Sequence, residues 1–190
     1  MKRKTTAIIL VAAISCAWTF AADAADTSKE KQQKEIRNVA QETLQQLYKA
    51  EPKTKAVVTH AAGYAVFSNM GVKILVAGSG NGKGLAVNNK SKQETFMKML
   101  QVQAGLGVGV KKFRVVFVFE NEKALNDFVN SGWQLGGQST AAATTGSKGA
   151  SMAGAASVSE GVWMYQLTDK GLAAEISATG TKYYKDEDLN

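Results

Sequence analysis

Residues 114–119 read RVVFVF, and this run decides the fold class together with the glycine-rich sequence on both sides of it. Valine and phenylalanine are enriched in β-strands because branched and aromatic side chains pack well on a pleated surface. Similar short runs rich in Val, Ile, Phe, Tyr and Trp recur over residues 63–180, which contain all 18 glycines of the chain. This pattern is typical of strands joined by tight turns, so the chain after Gly63 is predicted to be mostly sheet.

The predicted strands follow from where these runs begin and end. Asp169-Lys170-Gly171 separates the last two runs and predicts a hairpin turn. Residues 124–129 have helical spacing instead, with Asn121 as the predicted N-terminal cap. The strands are predicted at residues 64–68, 72–77, 84–88, 95–103, 107–120, 133–140, 162–167 and 172–178.

Residues 136–159 are low in complexity, because 20 of the 24 positions are Gly, Ala, Ser or Thr. Composition alone suggests a flexible linker. A segment with Trp163 and Tyr165 follows directly, and these aromatic side chains must pack against the rest of the domain. A flexible linker at this position would interrupt the domain. We therefore expect a strand of small residues here, followed by a mobile loop around residues 146–154.

A long helix precedes the sheet. Residues 26–51 contain no Gly or Pro, and their apolar residues recur at intervals of three and four. Thr27 and Glu30 suggest a capping box, and Pro52 marks the end. The pattern predicts a helix over 27–51 and a shorter one over 55–62. The fold class is therefore α+β, with an N-terminal helix, a sheet over residues 63–184 and one further helix.

The first 24 residues have the pattern of a secretory signal peptide. Three basic residues at positions 2–4 precede an uncharged stretch over 5–22, and Ala22-Asp23-Ala24 suits a signal peptidase. Two alternatives remain open, an uncleaved anchor and a lipoprotein anchored through Cys16. We expect cleavage after Ala24, a single domain over residues 25–190, and a location in the periplasm or cell envelope.

The composition excludes several classes of site. The chain of 190 residues contains one Cys and one His, which excludes an intrachain disulfide and a histidine-based metal cage. A Ser-His-Asp or Cys-His apparatus would need His60. This residue follows Val57 and Val58 on a predicted helical turn, and is expected to be a partly buried packing residue. No catalytic residue, cofactor or metal is predicted, so the protein is not expected to be an enzyme.

The glycine-rich segment at residues 78–84 suggests a phosphate-binding loop, since successive backbone amides can hold an anion. A Walker loop would require Gly where Ala77 lies and Ser or Thr where Gly84 lies. It would also open a helix, whereas residues 85–87 predict a strand. The segment is therefore interpreted as a glycine-rich hairpin turn between two strands.

The densest basic cluster is KKFR at residues 111–114. On a strand, Lys112 and Arg114 point to one face and Phe113 to the other. Two positive groups on one face can bind a phosphate. In the alternative interpretation this is a solvated face whose aliphatic stems cover the sheet. The net charge of +7 falls to +5 when residues 1–24 are removed, and this modest charge together with export argues against a nucleic-acid partner.

The chain resembles the SYLF domain family, and most of all its exported bacterial branch. The resemblance covers nearly the whole mature chain, and the order and spacing of its motifs make it specific. The motifs are AGYAVF at residues 62–67, GNGKG at 80–84, GLGVG at 105–109, FVFENEKAL at 117–125, LGGQ at 135–138, and GVW to KGL at 161–172.

This resemblance implies a helix followed by an antiparallel sheet, which can be strongly curved or barrel-like. It also implies a non-enzymatic module that binds membrane lipids peripherally, in particular anionic or phosphorylated head groups. The candidate lipid-binding residues are Lys112 and Arg114, with Lys111 and Lys83 as lesser candidates. The alternative is a protein-interaction or structural envelope factor without a lipid ligand. Some eukaryotic members are described as actin-binding, but actin is not an expected partner in a bacterial envelope.

Overall fold

The computed structural model describes residues 15–69, 80–101, 114–135, 154–168, 171–173 and 181–190. These residues form three helices and nine strands. The helices are α1 (Ser15–Ala50), α2 (Thr54–His60) and α3 (Glu122–Ser131). The strands are β1 (Gly63–Ser68), β2 (Gly80–Asn88), β3 (Glu94–Gln101), β4 (Arg114–Phe119), β5 (Trp133–Leu135), β6 (Ala156–Ser159), β7 (Val162–Thr168), β8 (Gly171–Leu172) and β9 (Thr181–Lys185).

The strands form one sheet in the order β5-β9-β3-β2-β1-β4-β7-β6, with β8 paired to β7. Every pair is antiparallel. The predicted fold class, an N-terminal helix followed by an antiparallel sheet in an α+β arrangement, is confirmed.

The sheet is strongly curved. Strands β4 and β9 are separated by three other strands, a distance of about 19 Å in a flat sheet. The ring centroids of Phe117 on β4 and Tyr183 on β9 are nevertheless 5.0 Å apart. Trp133 on β5 lies even farther along the order, yet its ring is 5.6 Å from that of Phe117. The sheet therefore curls so that these side chains meet on its concave face.

The apolar run of β4 is continuous because both faces of this strand are covered. Val115, Phe117 and Phe119 lie on the concave face, and Val116 and Val118 lie on the convex face. All five side chains are fully buried. A strand that is covered on both sides loses the alternation of apolar and polar residues, as the sequence of β4 does.

Helix α3 closes the concave face. Asn121 caps this helix as predicted, since its side chain accepts a hydrogen bond from the Ala124 backbone N–H. Leu125 and Phe128 project from α3 into the core, where the ring of Phe128 lies 5.2 Å from that of Phe117. The rings that meet there belong to Phe67, Phe117, Phe119, Phe128, Trp133 and Tyr183.

Helices α1 and α2 cover the convex face. The buried residues of α1 recur at helical spacing, as the sequence predicts. Val58 adds an apolar contact from α2. The buried aliphatic residues of α1 are Ile36, Ala40 and Leu47, and they pack in one cluster with residues of the sheet that include Val66, Leu85, Val116 and Tyr165.

The interpretation of Gly80–Gly84 as a turn is wrong, because these residues lie inside strand β2. Gly82 and Gly84 leave space for side chains that pack on the concave face. A Cβ atom at Gly84 would lie 2.3 Å from Cδ1 of Phe67 and 2.5 Å from the Val66 carbonyl oxygen. Glycine thus leaves the space that the neighbouring phenylalanine ring occupies.

Several other boundaries differ from the predicted ones. Helix α1 begins at Ser15 rather than at residue 27, so the Thr27–Glu30 segment lies within the helix and is not its cap. The hairpin around Asp169 is confirmed by the pairing of Thr168 with Gly171. Strands β6 and β9 were not predicted. The predicted strand over residues 72–77 and most of the low-complexity segment lie outside the described residues.

Candidate functional site

Three basic side chains lie in a row across the convex face, at one end of the sheet. Ser68 on β1 is paired with Lys83 on β2 and with Arg114 on β4. Lys83 is also paired with Lys98 on β3. Cross-strand partners project to the same face of a sheet. Lys98, Lys83 and Arg114 therefore form one group, called the basic row below, with Ser68 between the second and the third.

Arg114 lies under the C-terminal half of α1. Its side chain is only 15% exposed, and Nη2 lies 3.9 Å from a carboxylate oxygen of Glu42. Nη1 donates a hydrogen bond to Oε1 of Gln46. Nε is buried without a hydrogen-bond partner among the described residues. The guanidinium group therefore binds α1 and is not a freely exposed cation.

Lys83 has weaker compensation for its charge. Its Nζ atom donates a 2.6 Å hydrogen bond to Oε1 of Gln32, which is a neutral acceptor. Among the ion pairs of the described residues, none includes Lys83. Lys83 and Glu35 both line a small void of about 10 Å³ between α1 and the sheet, but they form no ion pair within the described structure. Lys83 is thus the member of the basic row whose charge is least neutralised.

Lys98 was missed by the sequence analysis. Its Nζ atom lies 2.8 Å from a carboxylate oxygen of Asp186 and 2.8 Å from one of Asp188. Hydrogen bonds to these two carboxylates raise the pKa of Lys98, and the bond from Lys98 lowers the pKa of Asp188. Asp186 is buried, whereas the side chain of Asp188 is exposed.

Polar contacts also fix α1 to other parts of the molecule. Gln33 donates a 2.8 Å hydrogen bond to the Leu189 carbonyl oxygen. Nε of Arg37 lies 2.7 Å from Oε2 of Glu94, and the guanidinium group lies over the ring of Phe96 at 5.0 Å from its centroid. Helix α1 is therefore held by hydrogen bonds and ion pairs as well as by its apolar strip.

Lys111 and Lys112 lie outside the described residues. The described part of β4 begins at Arg114, so the placement of Lys112 on the same face as Arg114 stays a prediction. Of the four predicted site residues, the structure places Lys83 and Arg114 in one row on the convex face.

His60 and Glu120 each contact a polar group of the protein itself in the described part of the chain. His60 is exposed, contrary to the expected partial burial, and its Nδ1 atom lies 2.8 Å from the Ala56 carbonyl oxygen of the same helix. Glu120 accepts a 2.7 Å hydrogen bond from Nε1 of Trp163. Within the described ranges, His, Cys, Asp and Glu form no group of three or more that could hold a metal ion. No described helix has the length and apolar character needed to cross a membrane.

Comparison with known proteins relates part of the chain to a known family. Residues 100–190 match the family described as "Ysc84: Las17-binding protein actin regulator", which contains the SYLF domain. The C-terminal half of the chain therefore matches the SYLF family. The chain is also 31% identical over 157 residues to beta cell expansion factor A of Aeromonas veronii. This alignment covers 81% of the present chain and 57% of that protein. The match thus spans little more than half the length of this relative.

The match to the SYLF family indicates a class of function. At the level of the family, the SYLF domain is a non-enzymatic domain of the lipid-binding type. The predicted resemblance is therefore confirmed. The matched residues include Arg114 of the basic row, whereas Lys83, Lys98 and α1 precede them.

Proposed function

We propose that this protein is a non-enzymatic peripheral module that binds anionic or phosphorylated lipid head groups in the bacterial cell envelope. Its match to the SYLF family supports lipid binding in general. The observation that carries the finer proposal is the basic row, in which Lys83 keeps a charge that no described carboxylate neutralises within ion-pair distance. A cation of this kind can exchange a neutral hydrogen-bond acceptor for a phosphate oxygen.

The proposed binding surface lies at the end of the sheet where β4 begins. In sequence, Lys111 and Lys112 come shortly before Arg114, so two further cations are tethered to this end of the sheet. The proposed lipid-binding residues are Lys112, Lys111, Lys83 and Arg114. Arg114 has the smallest share, because its guanidinium group must first release Gln46.

The expected affinity is low and depends on salt. Each basic side chain close to an anionic membrane contributes about 1 kcal/mol, and this attraction decays within a Debye length of about 10 Å at 0.1 M salt. Binding through three or four such cations is therefore weak, reversible and suppressed by high salt.

Co-sedimentation with lipid vesicles tests the proposal. The parent protein is expected to bind phosphatidylglycerol vesicles at low salt, and to bind phosphatidylcholine vesicles much less. The double variant Lys83→Gln, Lys112→Gln is expected to bind at least about tenfold more weakly. A matched control is Lys31→Gln, Lys34→Gln, which removes two exposed charges from α1. An equal loss in the control, or binding that ignores salt and lipid charge, would contradict the proposed surface.

Export to the envelope is a separate part of the proposal, and it rests on the pattern of residues 1–24. The intact mass of the protein from an envelope fraction is expected to correspond to a chain that starts at Ala25. A chain that starts at an acylated Cys16 would instead support the lipoprotein alternative, and a full-length chain would support the uncleaved anchor.

A second candidate function is a protein-interaction or structural envelope factor with no lipid ligand. The description of the matching family favours it, because that description names a protein, Las17, as a binding partner. Capture of one specific envelope protein by the purified chain, with no binding to any vesicle, would favour this candidate over lipid binding.

A further inference from the structure

A groove lies on the concave face, at the end of the sheet opposite the basic row. It has a volume of about 150 Å³ and is formed between the exposed side of α3 and strands β2, β3 and β9. This volume is smaller than the roughly 300 to 1,000 Å³ of pockets that enclose drug-sized ligands. The groove can therefore hold a small metabolite or a head group, and not a whole lipid.

The side chains that line the groove are mostly polar and carry one positive charge. Its polar lining consists of four carboxamides, one hydroxyl and one ammonium group, and its apolar lining is aliphatic. No carboxylate lines it. The lining residues are Asn88, Gln93, Asn126, Asn130, Thr95 and Lys185, with Ala86, Leu125 and Val129 as the apolar part.

Helical and strand geometry bring these groups together. Asn126 and Asn130 are four residues apart on α3, so they lie on the same side of the helix. Lys185, at the end of β9, is on the concave face because it is two residues from Tyr183 of the aromatic cluster. Among the ion pairs of the described residues, none includes Lys185.

Two groups of the groove are left as donors. Oδ1 of Asn88 accepts from the backbone N–H groups of Lys90 and Ser91, both at 2.9 Å. The Nδ2 group of Asn88 therefore remains as its donor to the groove, and the Lys185 ammonium group can only donate, whereas the other three carboxamides and the hydroxyl both donate and accept. A ligand that matches this lining carries one negative charge for Lys185 and hydroxyl groups, which likewise donate and accept, for the carboxamides.

We propose that this groove binds a small oxyanion attached to a hydroxylated body, such as a polyol phosphate. Lys185 contacts the oxyanion, the four carboxamides bind its hydroxyl and oxyanion oxygens, and the aliphatic part contacts the carbon skeleton. The same chemistry occurs in free sugar or glycerol phosphates and in phospholipid head groups. The site lies on the other face and at the other end of the sheet from the basic row, so it stands or fails independently of the proposed membrane surface.

The test uses glycerol 3-phosphate as the anionic probe and glycerol as the neutral one. The side-chain amide signals of Gln93, Asn126 and Asn130 are followed by ¹H–¹⁵N NMR. We expect these signals to shift with glycerol 3-phosphate and not with glycerol, and Lys185→Gln to weaken binding at least about tenfold. Lys182→Gln is the matched control, because Lys182 is an exposed residue of the same strand on the opposite face.

Two further measurements separate the sources of the ligand and guard against misfolding. In co-sedimentation with phosphatidylglycerol vesicles, a loss caused by Lys185→Gln and not by Lys182→Gln assigns the groove to a lipid head group. NMR shifts without such a loss assign it to a free phosphate ester. Asn126→Trp, at an exposed position, should block the groove while the remaining backbone signals stay dispersed.

The proposal is overturned if neither probe nor vesicle binding responds to Lys185→Gln. It is also overturned if Lys182→Gln causes the same loss, or if the shifted signals lie outside the groove. A loss of vesicle binding caused by Lys83→Gln alone would support the membrane surface of the basic row, and it would reject the groove only if glycerol 3-phosphate also caused no shifts that depend on Lys185.

Discussion

The two faces of the sheet are packed by different means. On the concave face, rings from β1, β4, β5, β9 and α3 contact one another directly. On the convex face, the apolar strip of α1 is accompanied by polar contacts along its length, from Gln33 to Gln46. The comparison indicates that concave-face residues act mainly on stability. The basic row on the convex face combines contacts that hold α1 with charge available to a ligand.

The largest effect is expected when both faces are disrupted together. Truncation after Thr168 removes β9, which carries Tyr183 of the concave cluster, and also Leu189 of the convex cluster. The truncated chain is expected to lose cooperative unfolding, because β3 becomes an uncovered edge beside two incomplete cores. Urea unfolding followed by tryptophan fluorescence checks this expectation.

A single substitution in the full-length chain distinguishes the contribution of the Tyr183 ring to stability from that of strand β9. Tyr183→Ala is expected to keep a cooperative transition and to lower the free energy of unfolding by about 3–5 kcal/mol, the usual cost of removing a buried aromatic ring. A truncated chain that unfolds with the parent's midpoint would show that β9 is not needed for either core.

The sequence predicted these two faces unequally. The run at 115–119 and the spacing of Ile36, Ala40 and Leu47 are local patterns, and both led to the correct element. Strand β9 is short and rich in Lys and Tyr, and only its pairing with β3, far away in sequence, makes it a strand. The glycines of β2 were assigned to a turn because glycine usually marks turns, whereas the ring of Phe67 requires glycine inside a strand.

The candidate site likewise depends on contacts between residues that are far apart in sequence. Arg114 was identified as basic and close to other cations, but the helix that covers it comes from residues 42–46, nearly 70 positions earlier. Lys98 lies among Met and Phe residues in sequence, and nothing local indicates its pairing with Asp186. Charges are visible in a sequence, but their compensation depends on long-range contacts.

The next effect in size, after those of the truncation and of Tyr183→Ala, is expected at Lys98. Replacement by Met leaves the buried carboxylate of Asp186 without the cation bound to its Oδ1 atom. Oδ1 would keep only the 3.2 Å hydrogen bond from the Asp188 backbone N–H, and Oδ2 has no hydrogen-bond partner in the described structure. Breaking such a pair from one side costs about 3 kcal/mol. Chemical denaturation at pH 7 measures the loss. Asp188→Asn, which removes only the exposed partner, is the matched control and should change stability much less.

Alkaline pH should lower the free energy of unfolding, and Tyr183 on the concave face should contribute most among the buried tyrosines. Burial raises the pKa of Tyr183 above its ordinary value of about 10. The unfolded chain then loses this proton at a lower pH than the folded chain. The stability contribution of the neutral phenol is therefore complete below about pH 10 and is lost as the pH rises through the folded pKa. The raised pKa of Lys98 acts in the same direction above about pH 10.4.

Tyr183→Phe tests this origin of the alkaline instability. The variant is expected to reduce the decline of unfolding free energy above pH 10 by up to about 1.4 kcal/mol per pH unit, the maximum for one proton. Tyr184→Phe, next to it on the opposite face, should leave the decline unchanged. Urea unfolding between pH 7 and pH 11 provides the measurement, and an identical pH profile for the two variants would contradict the assignment to Tyr183.

The smallest effect on stability is expected at Lys83. Comparison of Lys83 with Arg114 separates the two roles of the basic row, which are to hold α1 and to bind a ligand. Arg114→Gln removes a mostly buried group that binds α1 and should cost about 1 kcal/mol. Lys83→Gln removes a part-buried cation whose only described hydrogen bond is to Gln32, and should change the unfolding free energy by about 0.5 kcal/mol or less. Vesicle binding should show the opposite order, with the larger loss for Lys83→Gln. If both variants lose stability and binding in the same proportion, the basic row serves only to hold α1, and lipid binding must be sought elsewhere on the molecule.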